Sequence, residues 1–106
     1  MTTIDATSLV EERLADLLSE IDPATGDEVL FRGRQYDLGL AWVHFPEGRG
    51  GLGLAPRFQK ESERPLRSAG ARPVETRFFF GLTMAGPTIA THGTDEQCAT
   101  LLRRIF

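Results

Sequence analysis

Three glycines, Gly48, Gly50 and Gly53, stand at the G-x-G-x-x-G spacing, in which bare backbone approaches a pyrophosphate at the start of a helix. His92 precedes Gly93 and carries the one type of side chain that exchanges a proton near neutrality without special help. Cys98 is the sole cysteine and therefore a potential thiolate nucleophile, and Glu47 and Glu96 are carboxylates beside glycine and threonine turns. Each of these chemistries needs a partner at fixed distance. No serine, cysteine or carboxylate is held near His92 by spacing, so the histidine reads as a helix C-terminal residue that interacts with the helix dipole. Cys98 falls on an apolar helical stripe and reads as core. Glu47 reads as a loop residue and Glu96 as a first-turn residue that favours a helix N-terminus.

The glycine spacing is weakened by its surroundings. A dinucleotide fingerprint follows a strand and places its third glycine in the first helical turn, with an acidic ribose partner at the end of a second strand. Here Pro46 enters the loop and Pro56 begins a helix only after it closes. The loop reads better as a tight turn that uses positive φ, with nucleotide binding by Gly48–Gly53 kept as a lesser alternative.

Bulk properties narrow the classes further. The chain has 106 residues, enough for one small domain, with 15 acidic and 12 basic residues and a net charge of −3. Lysine and arginine gather only at Arg103-Arg104 and at the spaced pair Arg32 and Arg34, so no nucleic-acid partner is expected. One cysteine excludes an internal disulfide, and with His44 and His92 it offers no zinc spacing, so no metal site is expected. The first residues carry no signal pattern and no apolar run approaches the ~20 residues of a membrane span, which gives the expectation of a cytoplasmic protein without a membrane partner.

The elements that must position these groups are helical. Ser8 and Glu11 form a capping-box pair, after which Val10, Leu14, Leu17, Leu18 and Ile21 share one face until Asp22-Pro23, and residues 1–7 are expected to be disordered. Asp27 caps a second helix that runs to Leu38 and ends at Gly39. By composition alone Leu40–Phe45 is a buried strand or an extended segment. Pro56 opens a helix from Arg57 to Ser68, with a kink or early end expected near Arg64 because Pro65 lies inside it. A loop at Gly70–Pro73 leads to a helix from Thr76 to Ala85 around Phe78, Phe79 and Phe80, which Gly86-Pro87 breaks. A short turn through Thr88–Thr91 ends at Gly93, and Thr94 with Gln97 caps a last helix whose stripe is Cys98, Leu101, Leu102 and Ile105. That helix stops at Phe106 without a terminating signal, which suggests a chain cut short.

Two stretches carry a family likeness. Residues 39–54, Gly-Leu-Ala-Trp-Val-His-Phe-Pro-Glu-Gly-Arg-Gly-Gly-Leu-Gly-Leu, are similar to the Pro-Glu-x-x-Gly-Gly-Leu-Gly loop of acyl-CoA dehydrogenases. Residues 81–97, from Gly81 to Gln97, look like the helix-Pro-helix and His-Gly-Thr-x-Glu-Gln turn of the same family. They occur in the right order, and the likeness extends over residues 9–106. It implies an all-α fold, a small bundle of about five to six helices over residues 8–106 that ends before a flavin-binding β-domain. It also makes Leu40–Phe45 a connection between helices.

In that family a carboxylate removes the α-proton of an acyl-CoA while FAD accepts the β-hydride, giving an enoyl-CoA. The resemblance places the flavin mainly on the β-domain and the base on a C-terminal helical domain. This chain is therefore expected to carry no catalytic or FAD-binding residue and to be inactive alone. Its implied role is a wall of the acyl-chain cavity, with Phe79, Phe80, Thr83 and Met84 toward the acyl tail, packed on the missing domains. The competing reading is a stand-alone helical interaction module that self-associates through Leu101, Leu102 and Ile105.

Overall fold

A computed structural model describes residues 2–71 and 84–106. The helix α1 spans Thr3–Glu20 and opens with a capping box between Thr2 and Asp5. It starts five residues before Ser8, because Thr-x-x-Asp offers the same reciprocal bonds nearly two turns earlier and Ala6 already has core to bury. Residues 3–7, expected to be disordered, are therefore helical. Val10, Leu14 and Leu17 are buried along α1, and Leu18 and Ile21 pack against them.

Helix α2 spans Glu28–Asp37, and the Asp27 carboxylate accepts from the N–H groups of Val29 and Leu30. Its end is a Schellman motif. Gly39 N–H donates to the Tyr36 carbonyl and Leu40 N–H to the Gln35 carbonyl, with Gly39 at φ 79°. The weak point that Gly33 makes in α2 has a tertiary explanation. A Cβ there would lie 2.5 Å from the Arg103 guanidinium, which crosses the bare backbone to reach Asp37 at 3.0 Å.

Helix α3 spans Phe58–Ser68 and runs through Pro65, contrary to the expected kink or early end. Pro65 forfeits only the bond to the Glu61 carbonyl, and both residues are exposed, so water can replace it. Continuing the helix buries Leu66 and allows a second Schellman end, with Gly70 bonded to Arg67 and Ala71 to Leu66. Pro56 lies two residues before the helix, where its carbonyl accepts from Gln59 N–H.

The expected helix Thr76–Ala85 lies outside the described residues except for Met84 and Ala85. Residues 86–92 form a helix, α4 (Gly86–His92), where a break and a short turn were expected. Pro87 sits in its first turn, directly after the helical Met84 and Ala85, and Ala90 is buried. The Thr94–Gln97 capping box opens the last helix, α5, which runs as Asp95–Gln97, widens to a π turn at Cys98–Leu102 and closes over Arg103–Ile105. Leu102 is 0% exposed and Ile105 packs against the same cluster, so the stripe expected to face a second copy is mostly turned inward. Leu101, 40% exposed, remains outside.

Two apolar clusters result. One joins α1, α2 and α3 around Val10, Leu17, Phe31, Phe58 and Leu66. The other is aromatic and joins Tyr36, Trp42 and Phe45 to Ala90, Cys98 and Leu102. Residues 40–45, buried except for His44, feed both: Leu40 and Val43 enter the first, and Ala41, Trp42 and Phe45 enter the second. The segment is a connection between helices, and no strand occurs among the described residues.

Candidate functional site

The two stretches that drew attention in the sequence meet in space. Residues 40–54 have no regular secondary structure, yet their backbone polar groups are widely paired. Trp42 N–H donates to the Gly50 carbonyl, Leu52 and Leu54 both donate to Val43, and Gly53 donates to Phe45 at 2.8 Å. Glu47 and Gly51 form an isolated bridge that closes the loop. Two side-chain amides then fix the segment to helices. The Gln59 Nε2 of α3 donates to the Ala41 carbonyl while its Oε1 accepts from Val43 N–H, and Gln35 of α2 donates to the Leu40 carbonyl.

Arg49, between two of the glycines, reaches across to the second stretch. Its guanidinium donates to the Ala90 carbonyl at 2.8 Å, in the last turn of α4, and to the Asp95 carboxylate in the first turn of α5. A cation beside the carbonyl end of one helix is favourable, and so is a carboxylate at the amide end of the next. One residue thus clasps the loop to the His92–Gly93 turn. The Arg49 side chain is 24% exposed and Asp95 is 97% exposed, so the carbonyl contact is the better shielded of the two.

Beneath the loop lies the aromatic cluster. Trp42 stacks on Phe45 at 4.8 Å, meets Phe106 edge-on at 5.4 Å and has Tyr36 edge-on at 6.5 Å. Arg32 lies over the Phe106 ring and donates to its carbonyl. The Tyr36 hydroxyl is buried and finds no hydrogen-bond partner among the described residues. Burial pushes its ionisation up, and the neighbouring Cys98 and Asp37 add to the shift.

This geometry decides what the glycines are for. A Cβ on Gly50 would lie 2.6 Å from the Tyr36 ring, and one on Gly51 would lie 2.1 Å from the Phe45 carbonyl oxygen and 2.4 Å from that of Trp42. The space those glycines leave is filled by the chain itself. Gly48 and Gly53 have positive φ and open space, as turn residues do. The loop follows no strand and opens no helix at Gly53, so it does not have the form of a dinucleotide cradle. A cleft of about 320 Å³ beside it is lined by Arg13, Tyr36, Asp37, Gly39, Glu47 and Gly51, and Asp37 is engaged by Arg103.

The remaining candidates are scattered. His92 is exposed in the last turn of α4, and the buried Cys98 thiol donates to the Ile89 carbonyl at 3.3 Å. Glu47 and Glu96 are exposed. Among the described residues no nucleophile, base and orienting group converge. Of the expected cavity-wall residues, Phe79, Phe80 and Thr83 lie outside the described residues, and Met84 is 57% exposed. Arg49, Gln35 and Gln59 carry most of the polar architecture and gave little sign in the sequence, since Arg49 bonds residues 41 and 46 positions away.

A family model described as "Acyl-CoA dehydrogenase, N-terminal domain" matches residues 4–106. No curated protein and no solved structure gives a significant match. With nearly the whole chain matched, the chain belongs to the acyl-CoA dehydrogenase family through its N-terminal domain.

Proposed function

On the premise of that membership, we propose that these residues serve as the N-terminal helical domain of a flavin-dependent acyl-CoA dehydrogenase, an enzyme that converts an acyl-CoA to its α,β-enoyl-CoA. The domain's part is steric. It covers one side of the acyl-chain cavity, excludes water there, and packs on the flavin-binding domains. Phe79, Phe80, Thr83 and Met84 are the side chains assigned to the acyl tail. The observation that carries this reading is the family match over residues 4–106. Large apolar groups left open support it: Met84 is 57% exposed, and on α2 Val29 is 80% and Leu30 65% exposed.

FAD in the family's enzymes accepts the hydride. The glycine loop described above does not fit its pyrophosphate, because the space at Gly50 and Gly51 is taken by Tyr36 and by backbone carbonyls. No step of the oxidation is therefore assigned to the described residues.

The test is a chimera that joins this chain to the flavin-binding and C-terminal domains of an acyl-CoA dehydrogenase. It should take up FAD, oxidise acyl-CoA, and change its chain-length preference in Phe79→Ala and Met84→Ala. A folded chimera without flavin or turnover would sink the domain reading. An active chimera with the same chain-length profile in both variants would sink the cavity-wall role alone.

A further inference from the structure

The helix that carries Met84 is gripped by its backbone more than by its side chains. The fully buried positions of α4 are Gly86 and Ala90, one turn apart on a single face, with Ile89 partly buried beside them. Glycine and alanine allow close approach but wedge no large side chain between neighbours, and packed helices scatter by about 15–20° around their preferred crossing angles. The orientation of α4 therefore depends on the polar bonds that reach it.

Two donors hold the carbonyls of its last turn. The Cys98 thiol, a weak donor on the adjoining α5, reaches the Ile89 carbonyl at 3.3 Å, and the Arg49 guanidinium reaches the Ala90 carbonyl at 2.8 Å. The arginine bond is charge-assisted and is the stronger of the two. It also comes from a different part of the fold. Residues 40–54 are tied to α2 by Gln35 and to α3 by Gln59, so Arg49 refers α4 to the frame of the helical core and not only to its neighbour in the chain. The second Arg49 bond, to Asp95, fixes the head of α5 against the tail of α4.

Met84, assigned above to the acyl tail, stands at the far end of the same helix. Met84 and Ala85 continue α4 upstream, and the Met84 carbonyl accepts from the Thr88 hydroxyl at 2.7 Å. From Ala90 to Met84 is about 9 Å along the axis, so a tilt of about 15° about the Arg49 contact carries Met84 about 2 Å sideways. That displacement is comparable with the length that one or two methylenes add to an extended acyl chain. We propose that Arg49 is a positioning residue for acyl-chain length, which sets where Met84 meets the tail by fixing the orientation of α4. This role rests on the cavity-wall reading of Met84, and Arg49 exerts it through the helix without touching the substrate.

The first measurement uses the 106-residue chain. Residual dipolar couplings of the α4 amides, referred to those of α1 and α3, report the orientation of the helix, and Arg49→Met, which keeps the bulk of the side chain but removes its donors, should turn it by about 15°. Gly48→Ala, a strained change in the same loop that leaves both Arg49 contacts in place, should not turn it. Circular dichroism of each variant establishes that the fold is kept. The second measurement uses the chimera described above and compares kcat/KM for acyl-CoAs of different chain length. Arg49→Met should shift that ratio about tenfold, the discrimination a methylene or two provides, while Gly48→Ala leaves it unchanged. An α4 orientation that is the same in Arg49→Met, or that changes as much in Gly48→Ala, overturns the proposal. So does a ratio that moves in Met84→Ala but not in Arg49→Met. A ratio that moves in neither overturns the cavity-wall reading of Met84 and this role of Arg49 with it.

Discussion

Alanine at Gly51 would bring a methyl carbon to 2.1 Å from the Phe45 carbonyl oxygen and 2.4 Å from that of Trp42. Both obstacles are backbone, so no side chain can swing aside, and the loop must open instead. Opening it strains or breaks the bonds Trp42–Gly50, Leu52–Val43 and Gly53–Phe45. At about 1 kcal/mol for each of three bonds, the substitution should cost about 3 kcal/mol, a large share of a small domain's stability. With a urea dependence of about 1–1.5 kcal/mol per molar for a chain of this size, the unfolding midpoint should drop by about 2–3 M. Gly48 supplies the internal control. Its φ is 81° but its Cβ position is open, so Gly48→Ala should cost only the left-handed strain of about 1–2 kcal/mol. If these glycines instead exist to admit a ligand, Gly51→Ala should be no more costly than Gly48→Ala. Equal midpoints for the two variants would refute the packing argument.

Three further outcomes can be checked by the same unfolding measurements. Tyr36→Phe removes a buried hydroxyl that has no partner among the described residues and should leave stability unchanged or raise it by up to about 1 kcal/mol. The ionisation of Tyr36 is raised in the folded state, so its contribution is intact below the unfolded tyrosine value near 10 and is lost as pH rises beyond it. That alkaline loss should be smaller in Tyr36→Phe, and an identical alkaline profile would count against burial of the ring. Arg49→Ala should cost about 2 kcal/mol through the Ala90 carbonyl, whereas Asp95→Asn should cost less than about 1 kcal/mol because that carboxylate is exposed. Similar losses in the two variants would contradict this division. Gly33→Ala should gain less than the ~1 kcal/mol of ordinary helix propensity because Arg103 lies over the site, and should recover the gain when Arg103→Ala is added.

What the sequence made legible was mostly local. Asp27 and Gly39 bounded α2 correctly because a cap and a left-handed glycine act within a few residues of the ends they define. The Thr94–Gln97 box was visible for the same reason. The start of α1 was misplaced because two capping boxes, at Thr2 and at Ser8, fit the sequence, and only burial of Ala6 selects the first. Pro65 gave the right cost but not the compensation, since the burial of Leu66 is a tertiary fact. The π turn at Cys98–Leu102 left no trace in the residue pattern. Family likeness located the glycine loop and the His92–Gly93 turn, but Arg49 joining them became evident only in three dimensions.

Residues 40–54 look like the place where a protein tolerates change: they are rich in glycine, irregular, and lie between helices. Their role as the divider of two apolar clusters reverses that expectation. Each inserted or deleted residue would exchange the side chains sent to the two sides and cut both off from Gln35, Gln59 and Arg49 at once. The amide hydrogens of Trp42, Val43, Leu52 and Leu54 should therefore exchange with solvent as slowly as those of the buried helices. Across evolutionary time, length variation should collect in the exposed turn at 22–27 and leave this loop at constant length.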